Sequence, residues 1–222
     1  MQLTLWKLCK ELYQGKSIWR TLMNFSASHY VQPKGIGIDI GGKGNPSYWR
    51  FINSINDDPA RHNFFVMDII QGPSVQVVGS ATSLPFKPQS CDTVLCFNLF
   101  EHILDFQKAL HEARLILKDG GILYGSVPFL KCIHSDPSDH WRYTETTLRH
   151  LLTNSRFTYV DIHACGGLFC VLYDLLYPLW RVALVRVPIG LLCWTLNSLY
   201  SKIVGNEINT KRYPLGYFFI AK

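Results

Sequence analysis

The run Gly35-Ile36-Gly37-Ile38-Asp39-Ile40-Gly41-Gly42-Lys43-Gly44-Asn45-Pro46 reads as a strand, a glycine turn and the start of a helix. Ile36, Ile38 and Ile40 are β-branched and alternate with other residues, the pattern of a buried strand. Gly41, Gly42 and Gly44 permit positive φ and carry no side chain to obstruct a ligand. Asn45 suits a helix N-cap and Pro46 the first turn behind it. In an open α/β sheet such a turn brings bare backbone N–H groups up to a nucleotide-like ligand. Glycine turns are common, so this one takes its meaning from the strands and helices downstream of it. The dinucleotide fingerprint G-x-G-x-x-G is missing, because Gly41 is succeeded by Gly42, Lys43, Gly44 and Asn45, and a nicotinamide enzyme is disfavoured.

Beyond the turn, strand and helix patterns alternate. Phe64-Phe65-Val66-Met67 reads as a second strand with Asp68 at its carboxyl end, where an acid can accept both hydroxyls of a ribose. Val75-Gln76-Val77-Val78 is a short third strand, left by the loop Gly79 to Phe86. Asp92 to Phe97 is a fourth, with Asn98 at its carboxyl end and Leu99-Phe100-Glu101-His102 behind it. Asp105 can cap a helix whose apolar face is Phe106, Ala109, Leu110, Ala113 and Leu117 and which Lys118-Asp119-Gly120-Gly121 stops. Ile122 to Val127 is a fifth strand and Tyr217 to Ala221 the last. Such alternation predicts a doubly wound, mostly parallel α/β sheet. Ahead of it, residues 3–23 read as one amphipathic helix with Leu5, Leu8, Cys9, Leu12 and Tyr13 on one face. It is expected to pack on the sheet edge or over the ligand, or else to lie on a membrane surface.

The 222 residues suffice for one α/β domain with additions, and 48% apolar with 17% charged residues is a globular composition. The net charge of +6 is scattered, without a Lys/Arg run or an aromatic–basic repeat. No nucleic acid partner is expected, and an anionic membrane surface fits the charge at least as well. Seven cysteines without a C-x-x-C pair suit a reduced, cytoplasmic setting. No signal-peptide pattern is visible.

In this order and spacing, the pieces IDIGGKG, an acid ending strand two, GSATSLPF, CDTVLCFNLFEH, a helix ending LKDGG, SVPFL and HSDPSDHWRYT resemble the class I S-adenosylmethionine-dependent methyltransferases, closest to their small type-11-like branch. The resemblance covers about residues 35–165. It implies a seven-stranded Rossmann-like sheet and S-adenosylmethionine as cofactor. By the same token, Asp39 and the backbone of Gly41, Gly42 and Gly44 would hold the methionine end. Asp68 would bind the ribose, Ser80, Ala81 and Leu84 would flank the adenine, and Asn98 would sit by the methionine portion. The chain departs from the usual G-x-G-x-G spacing at Lys43 and Asn45. It also carries Ser80 where Asp is commoner, a weaker acceptor for the adenine amino group.

Methyl transfer is an in-line displacement, so the protein must align the nucleophile and exclude water, and a hydroxyl nucleophile needs a base. His134-Ser135-Asp136-Pro137-Ser138-Asp139-His140-Trp141-Arg142-Tyr143 gathers suitable groups after strand five. His134 is the first choice of base, His140 the second and Asp136 the orienter. Alternatively His140, Asp139 and Arg142 form a structural network closing the loop. No metal site is expected: His134, Asp136, His140 and His102 lack a firm ligand spacing, and Glu101-His102 reads as a helix-start pair.

Residues 167–204 are unusually apolar. The uncharged run Val187 to Ser201 is shorter than the ~20 residues of a bilayer span, Arg181, Arg186 and Lys202 border or interrupt the segment, and Pro178 and Pro188 are expected to break it. Trp180, Trp194 and Tyr200 are interface residues. Helices lying on a membrane, capping an apolar pocket, or packed as core or dimer face all fit. The expected organisation is a helical segment (1–30), a cofactor-binding core (31–165), an apolar helical insertion (166–213) and a final strand (214–222). The expected activity is methyl transfer, O-methylation first, to a small-molecule, sugar or lipid-linked acceptor, with peripheral membrane contact. A catalytically silent binding module on the same fold is the alternative.

Overall fold

The computed structural model describes residues 4–42, 47–52, 63–180 and 182–222. Seven strands form one sheet: β1 (Gly37–Ile40), β2 (Phe64–Asp68), β3 (Val77–Val78), β4 (Cys91–Phe97), β5 (Leu117–Pro128), β6 (Val160–Gly166) and β7 (Pro214–Ala221). Their order is β3-β2-β1-β4-β5-β7-β6. Only β7 runs antiparallel to its neighbours, pairing Ser126 with Phe218 on one side and His163 with Phe218 on the other. The strand order reverses between β1 and β4, which pair directly, so a crevice opens beyond their carboxyl ends. All four β1 residues are buried, as expected for a central strand covered on both faces.

Strand alternation sends successive residues to opposite faces. Val94, Leu123 and Phe219 pack with Leu110 and Leu148 against α3 (Phe106–Ile116) and α4 (Glu145–Asn154). Leu95, Phe97 and Phe218 pack on the other face with Leu8, Leu12, Trp19 and Met23. Each fully buried side chain of this size contributes about 1.5–3 kcal/mol relative to exposure.

The single helix expected over residues 3–23 is two, α1 (Leu5–Tyr13) and α2 (Ile18–Tyr30). Gly15 turns the chain at φ +82°, and the Ser17 hydroxyl restarts it by accepting the Arg20 N–H at 3.2 Å. Two buried charges fix this corner. Asp174, on α5 (Leu168–Leu175), accepts the first N–H groups of α2, from Ile18 at 2.8 Å and Trp19 at 3.2 Å, and pairs with Lys131. Arg186 donates to the last carbonyls of α1, Leu12 at 2.7 Å and Tyr13 at 3.0 Å. A negative charge at a helix start and a positive one at a helix end both favour the helix dipole.

Two further boundaries differ from expectation. Leu117 begins β5, so Lys118 to Gly121 form a bulge at the start of the strand, where the register jumps between Cys91↔Leu117 and Thr93↔Ile122. Where a helix is expected to start at Asn45 and Pro46, which lie outside the described residues, the chain shows a 3-10 turn at Ser47–Arg50.

The apolar insertion comprises α5, a 3-10 turn at Tyr177–Leu179, α6 (Ala183–Val204) and α7 (Asn206–Arg212). Pro188 does not break α6; it sits in the second turn of a 22-residue helix that is long and apolar enough, by length and composition, to cross a membrane. The length expectation drawn from the uncharged run is thereby corrected. One face of α6 is nevertheless seated on protein. A Cβ on Gly190 would lie 2.4 Å from Leu12, Asn197 bonds Gly166 and Asn209, and Arg186 is committed to α1, away from any headgroup. Leu184, Leu192, Leu199 and Ile203 stay exposed on the other side.

Candidate active site

A cavity of about 660 Å³ lies beyond the carboxyl ends of β1, β2 and β4. Gly41, Asp68, Ser80, Ala81, Asn98, His134 and Asp136 line it, together with Arg20, Tyr48 and His102. Gly41 turns at φ +80°, and a Cβ there would stand 2.8 Å from Leu99. Its own N–H is given to the Met67 carbonyl at 2.8 Å, so the turn offers close approach and not that donor. Asp68 ends β2 with one carboxylate oxygen accepting the Ile70 N–H at 3.1 Å. Ser80 is held in a tight turn, its hydroxyl 2.9 Å from that of Thr82.

Asn98 adopts φ +50°, a sparsely populated conformation for a residue with a side chain. Its side-chain oxygen accepts the Trp19 indole N–H at 3.0 Å, so α2 fixes the side chain at the end of β4. The next residue of α2, Arg20, lines the cavity with its guanidinium free of hydrogen bonds among the described residues; burial lowers its pKa.

Asp39, Gly42 and Leu84 lie behind the wall. Asp39 is fully buried and accepts the Tyr48 hydroxyl on both oxygens, at 2.8 and 2.7 Å, and the Trp49 indole at 2.8 Å. Burial pushes its carboxyl up to about 7 despite these donors. Among the described residues, Asp39 thus reaches the cavity through Tyr48. Gly42 packs on Asp39, which a Cβ would meet at 2.6 Å. Leu84 is in the core, its N–H bound to Glu112. Gly44 lies outside the described residues.

The loop after β5 holds His134 half buried, its N–H bonded to Asp139 at 2.8 Å and its Nδ1 3.4 Å from the same carboxylate. Asp139 is therefore the acid set against His134, where Asp136 was expected. Arg142 grips Asp139 through two nitrogens and holds its carboxyl down to about 2. Burial lowers the His134 pKa, leaving the ring neutral near pH 7. His140 is exposed and outside the cavity wall, tied down by its backbone N–H to the Glu101 carbonyl. The Asp139–Arg142 part of the expected closing network is present without its ring.

The 3-10 turn Phe100–His102 contributes a residue that the sequence presented only as half of a helix-start pair. Glu101 is fully buried, and neither carboxylate oxygen accepts a hydrogen bond from another described residue. Oε1 lies 3.7 Å from His102 Nε2 and 3.9 Å from His134 Nε2. Burial pushes its carboxyl up to about 8.

A parallel sheet with one antiparallel strand next to its edge and a crevice at the β1/β4 switch is the Rossmann-like fold of S-adenosylmethionine-dependent methyltransferases. A family model described as a methyltransferase domain matches residues 60–125. Malonyl-[acyl-carrier protein] O-methyltransferase 1 of Coxiella burnetii is 33% identical over 104 residues, 43% of this chain. The match spans only 37% of that protein's length. Among solved structures, a SAM-dependent methyltransferase from Archaeoglobus fulgidus superposes with a TM-score of 0.58 at 17% identity, covering 96% of this chain and 97% of that one. A Haemonchus contortus phosphoethanolamine N-methyltransferase 2, complexed with phosphomonomethylethanolamine and S-adenosylhomocysteine, gives 0.54 at 13% identity, covering 96% and 56%. At such identities these structures speak for the fold alone.

Proposed function

We propose that the chain binds S-adenosylmethionine in this cavity and transfers its methyl group to a small-molecule, sugar or lipid-linked acceptor, most simply at oxygen. The carrying observation is the convergence of Gly41, Asp68, Ser80 and Asn98 on one cavity at the sheet's switch point. Its volume suits a ligand of nucleoside size, and the Asp68 carboxylate fits a ribose diol. The bound cofactor supplies an electrophilic methyl carbon. Everything else falls to the chain. Asp68 accepts the ribose hydroxyls, Ala81 and Ser80 border the base, and Asn98 and Arg20 face the polar end, Arg20 being the cation suited to a carboxylate. Asp39 positions Tyr48 in the wall. His134, neutral and steadied by Asp139, takes the acceptor's proton. The C. burnetii relative and the H. contortus neighbour differ in the methylated atom, oxygen in one and nitrogen in the other, which is why the acceptor is left as a class.

Titration calorimetry with S-adenosylmethionine, S-adenosylhomocysteine and NAD tests this reading. Micromolar binding of the first two and none of NAD is expected; the reverse would overturn it. One observation favours the silent-module reading: the Ser80 hydroxyl is already engaged with Thr82. Binding without turnover across an acceptor panel would select it.

The exposed face of α6 supports peripheral contact with a membrane that presents a lipid-linked acceptor. Leu184→Ser with Ile203→Ser should lower co-sedimentation with vesicles while leaving cofactor binding unchanged.

A further inference from the structure

We propose that Glu101, His102 and His134 hold a divalent transition-metal ion of the zinc class at the wall of the cavity. Their ligand atoms all lie within 4.8 Å of one another. An ion bonded at about 2.0–2.2 Å to two histidine nitrogens and a carboxylate oxygen needs those atoms about 3.4 Å apart. Glu101 Oε1 stands 3.7 and 3.9 Å from the two Nε2 atoms, a few tenths of an ångström too far, and the histidine nitrogens lie within 4.8 Å of each other, so the rings must also close on the ion.

The hydrogen bonds fix which atoms face inward. His102 Nδ1 bonds the Ser138 carbonyl, and His134 Nδ1 faces the Cys132 carbonyl at 3.3 Å and Asp139 at 3.4 Å. Carbonyl and carboxylate oxygens only accept, so Nδ1 carries the hydrogen in each ring. Each Nε2 is then a lone pair, and both point at Glu101. Supporting carbonyls and carboxylates of this kind orient the histidines of metal sites. Three acceptor atoms thus converge with no donor from another described residue between them, and the carboxylate is sealed from solvent. Leaving a buried carboxylate without a partner is costly, and a cation at the centre removes the cost. Two arginines compete for the position. Arg142 is already committed to Asp139, and Arg20 is near enough to be felt electrostatically but makes no hydrogen bond to Glu101.

Because His102 and His134 line the cavity, the ion has an entry path and an open coordination position on the acceptor side. A bound ion would make an acceptor hydroxyl at that position more acidic, and the hydroxyl proton would pass to solvent water in the cavity, because His134 would then serve as ligand and not as base. The site is the one proposed for methyl transfer, but ion binding stands apart from that reading, since it is measured with neither cofactor nor acceptor.

The test uses the full chain, free of any histidine tag and stripped with chelator, titrated with Co²⁺ and followed by its visible d–d bands. The expected result is about one tightly bound ion per chain with mixed nitrogen/oxygen tetrahedral or five-coordinate absorption. His102→Ala and His134→Ala should each weaken binding by at least about 100-fold, and Glu101→Gln by at least about tenfold. Cys132→Ser, two residues from His134 and exposed, should leave it unchanged. His134→Ala alters a half-exposed loop side chain, so it keeps the test decisive even where Glu101→Gln perturbs the fold. Absence of stoichiometric Co²⁺ binding, or equal binding by His134→Ala, or loss of it in Cys132→Ser, would overturn the proposal.

Discussion

The carboxyl end of β1 and the turn after β4 each bury an acid beside the same cavity, and the two acids are treated in opposite ways. Asp39 is met by two donors, the Tyr48 hydroxyl, which stands within reach of both oxygens, and the Trp49 indole N–H. Glu101 is met by none from another described residue, although two histidines approach it. A satisfied buried carboxylate organises its surroundings, and one left unsatisfied points to a missing partner. The contrast separates the region that builds the cavity wall from the region that receives something in it.

The largest effect should come from removing the satisfied acid. Asp39→Ala strands the buried Tyr48 hydroxyl, at about 1–3 kcal/mol, and removes the carboxylate that the Trp49 indole bonds, so a loss of about 3 kcal/mol is expected in urea unfolding. Asp39→Asn gives the pH dependence. Burial raises the carboxyl from 3.8 to about 7, so the proton is held more tightly in the fold than in the unfolded chain. The resulting stability is fully present below about 3.8 and is lost as pH rises through about 7. The stability gap between parent and Asp39→Asn should therefore shrink between pH 5 and pH 8. A gap that widens would mean that Asp39 is charged in the fold, and the contrast with Glu101 would lose half its basis.

Next comes Gly41→Val, on the ligand side of the same β1 end. A branched residue at φ +80° is strained, and its Cβ meets Leu99 at 2.8 Å. Binding of S-adenosylhomocysteine should weaken on the order of 100-fold, about 2.7 kcal/mol, in calorimetry. Asp68→Ala should cost less, about 2 kcal/mol, because one charge-assisted pair is lost from an otherwise intact site. If Asp39→Asn reduces affinity more than Asp68→Ala does, the β1 acid is a ligand contact after all.

Much of this was legible because open α/β sheets put ligands at strand ends, and strand ends show in sequence. Gly41, Asp68, Asn98 and the Ser80 loop each follow an apolar run by one or two positions, and all reach the cavity. What remained hidden depended on packing between distant segments. Arg20 enters the cavity because the chain breaks at Gly15 and restarts at Ser17, and reading residues 3–23 as one helix concealed that turn. Gly15 followed by a Ser N-cap was the available signal. The exchange of Asp136 for Asp139 as the partner of His134 follows from a loop path that no periodicity encodes. Glu101 looked like a helix-start acid; its isolation comes from β5, the loop after β5 and α3 packing around its turn together.

The smallest effect is expected at Glu101, and its smallness is informative. In chelator-treated protein at pH 7, burial keeps the carboxyl mostly protonated, its pKa lying at about 8. Glutamine matches that neutral form in shape, and no hydrogen bond from another described residue is lost with the acid. At pH 4, where the carboxyl is protonated in the folded and the unfolded chain alike, Glu101→Gln should thus alter the unfolding free energy by about 1 kcal/mol or less. As pH rises from about 4.5 to about 8, folding of the parent must take up a proton that the variant never needs, so the variant should become the more stable of the two. With Zn²⁺ added the order should reverse, because an ion that binds the folded parent stabilises it by mass action and has lost a ligand in the variant. A loss of 3 kcal/mol or more in chelator would show that Glu101 has a structural partner like that of Asp39, and the two ends of the sheet would then differ in degree only.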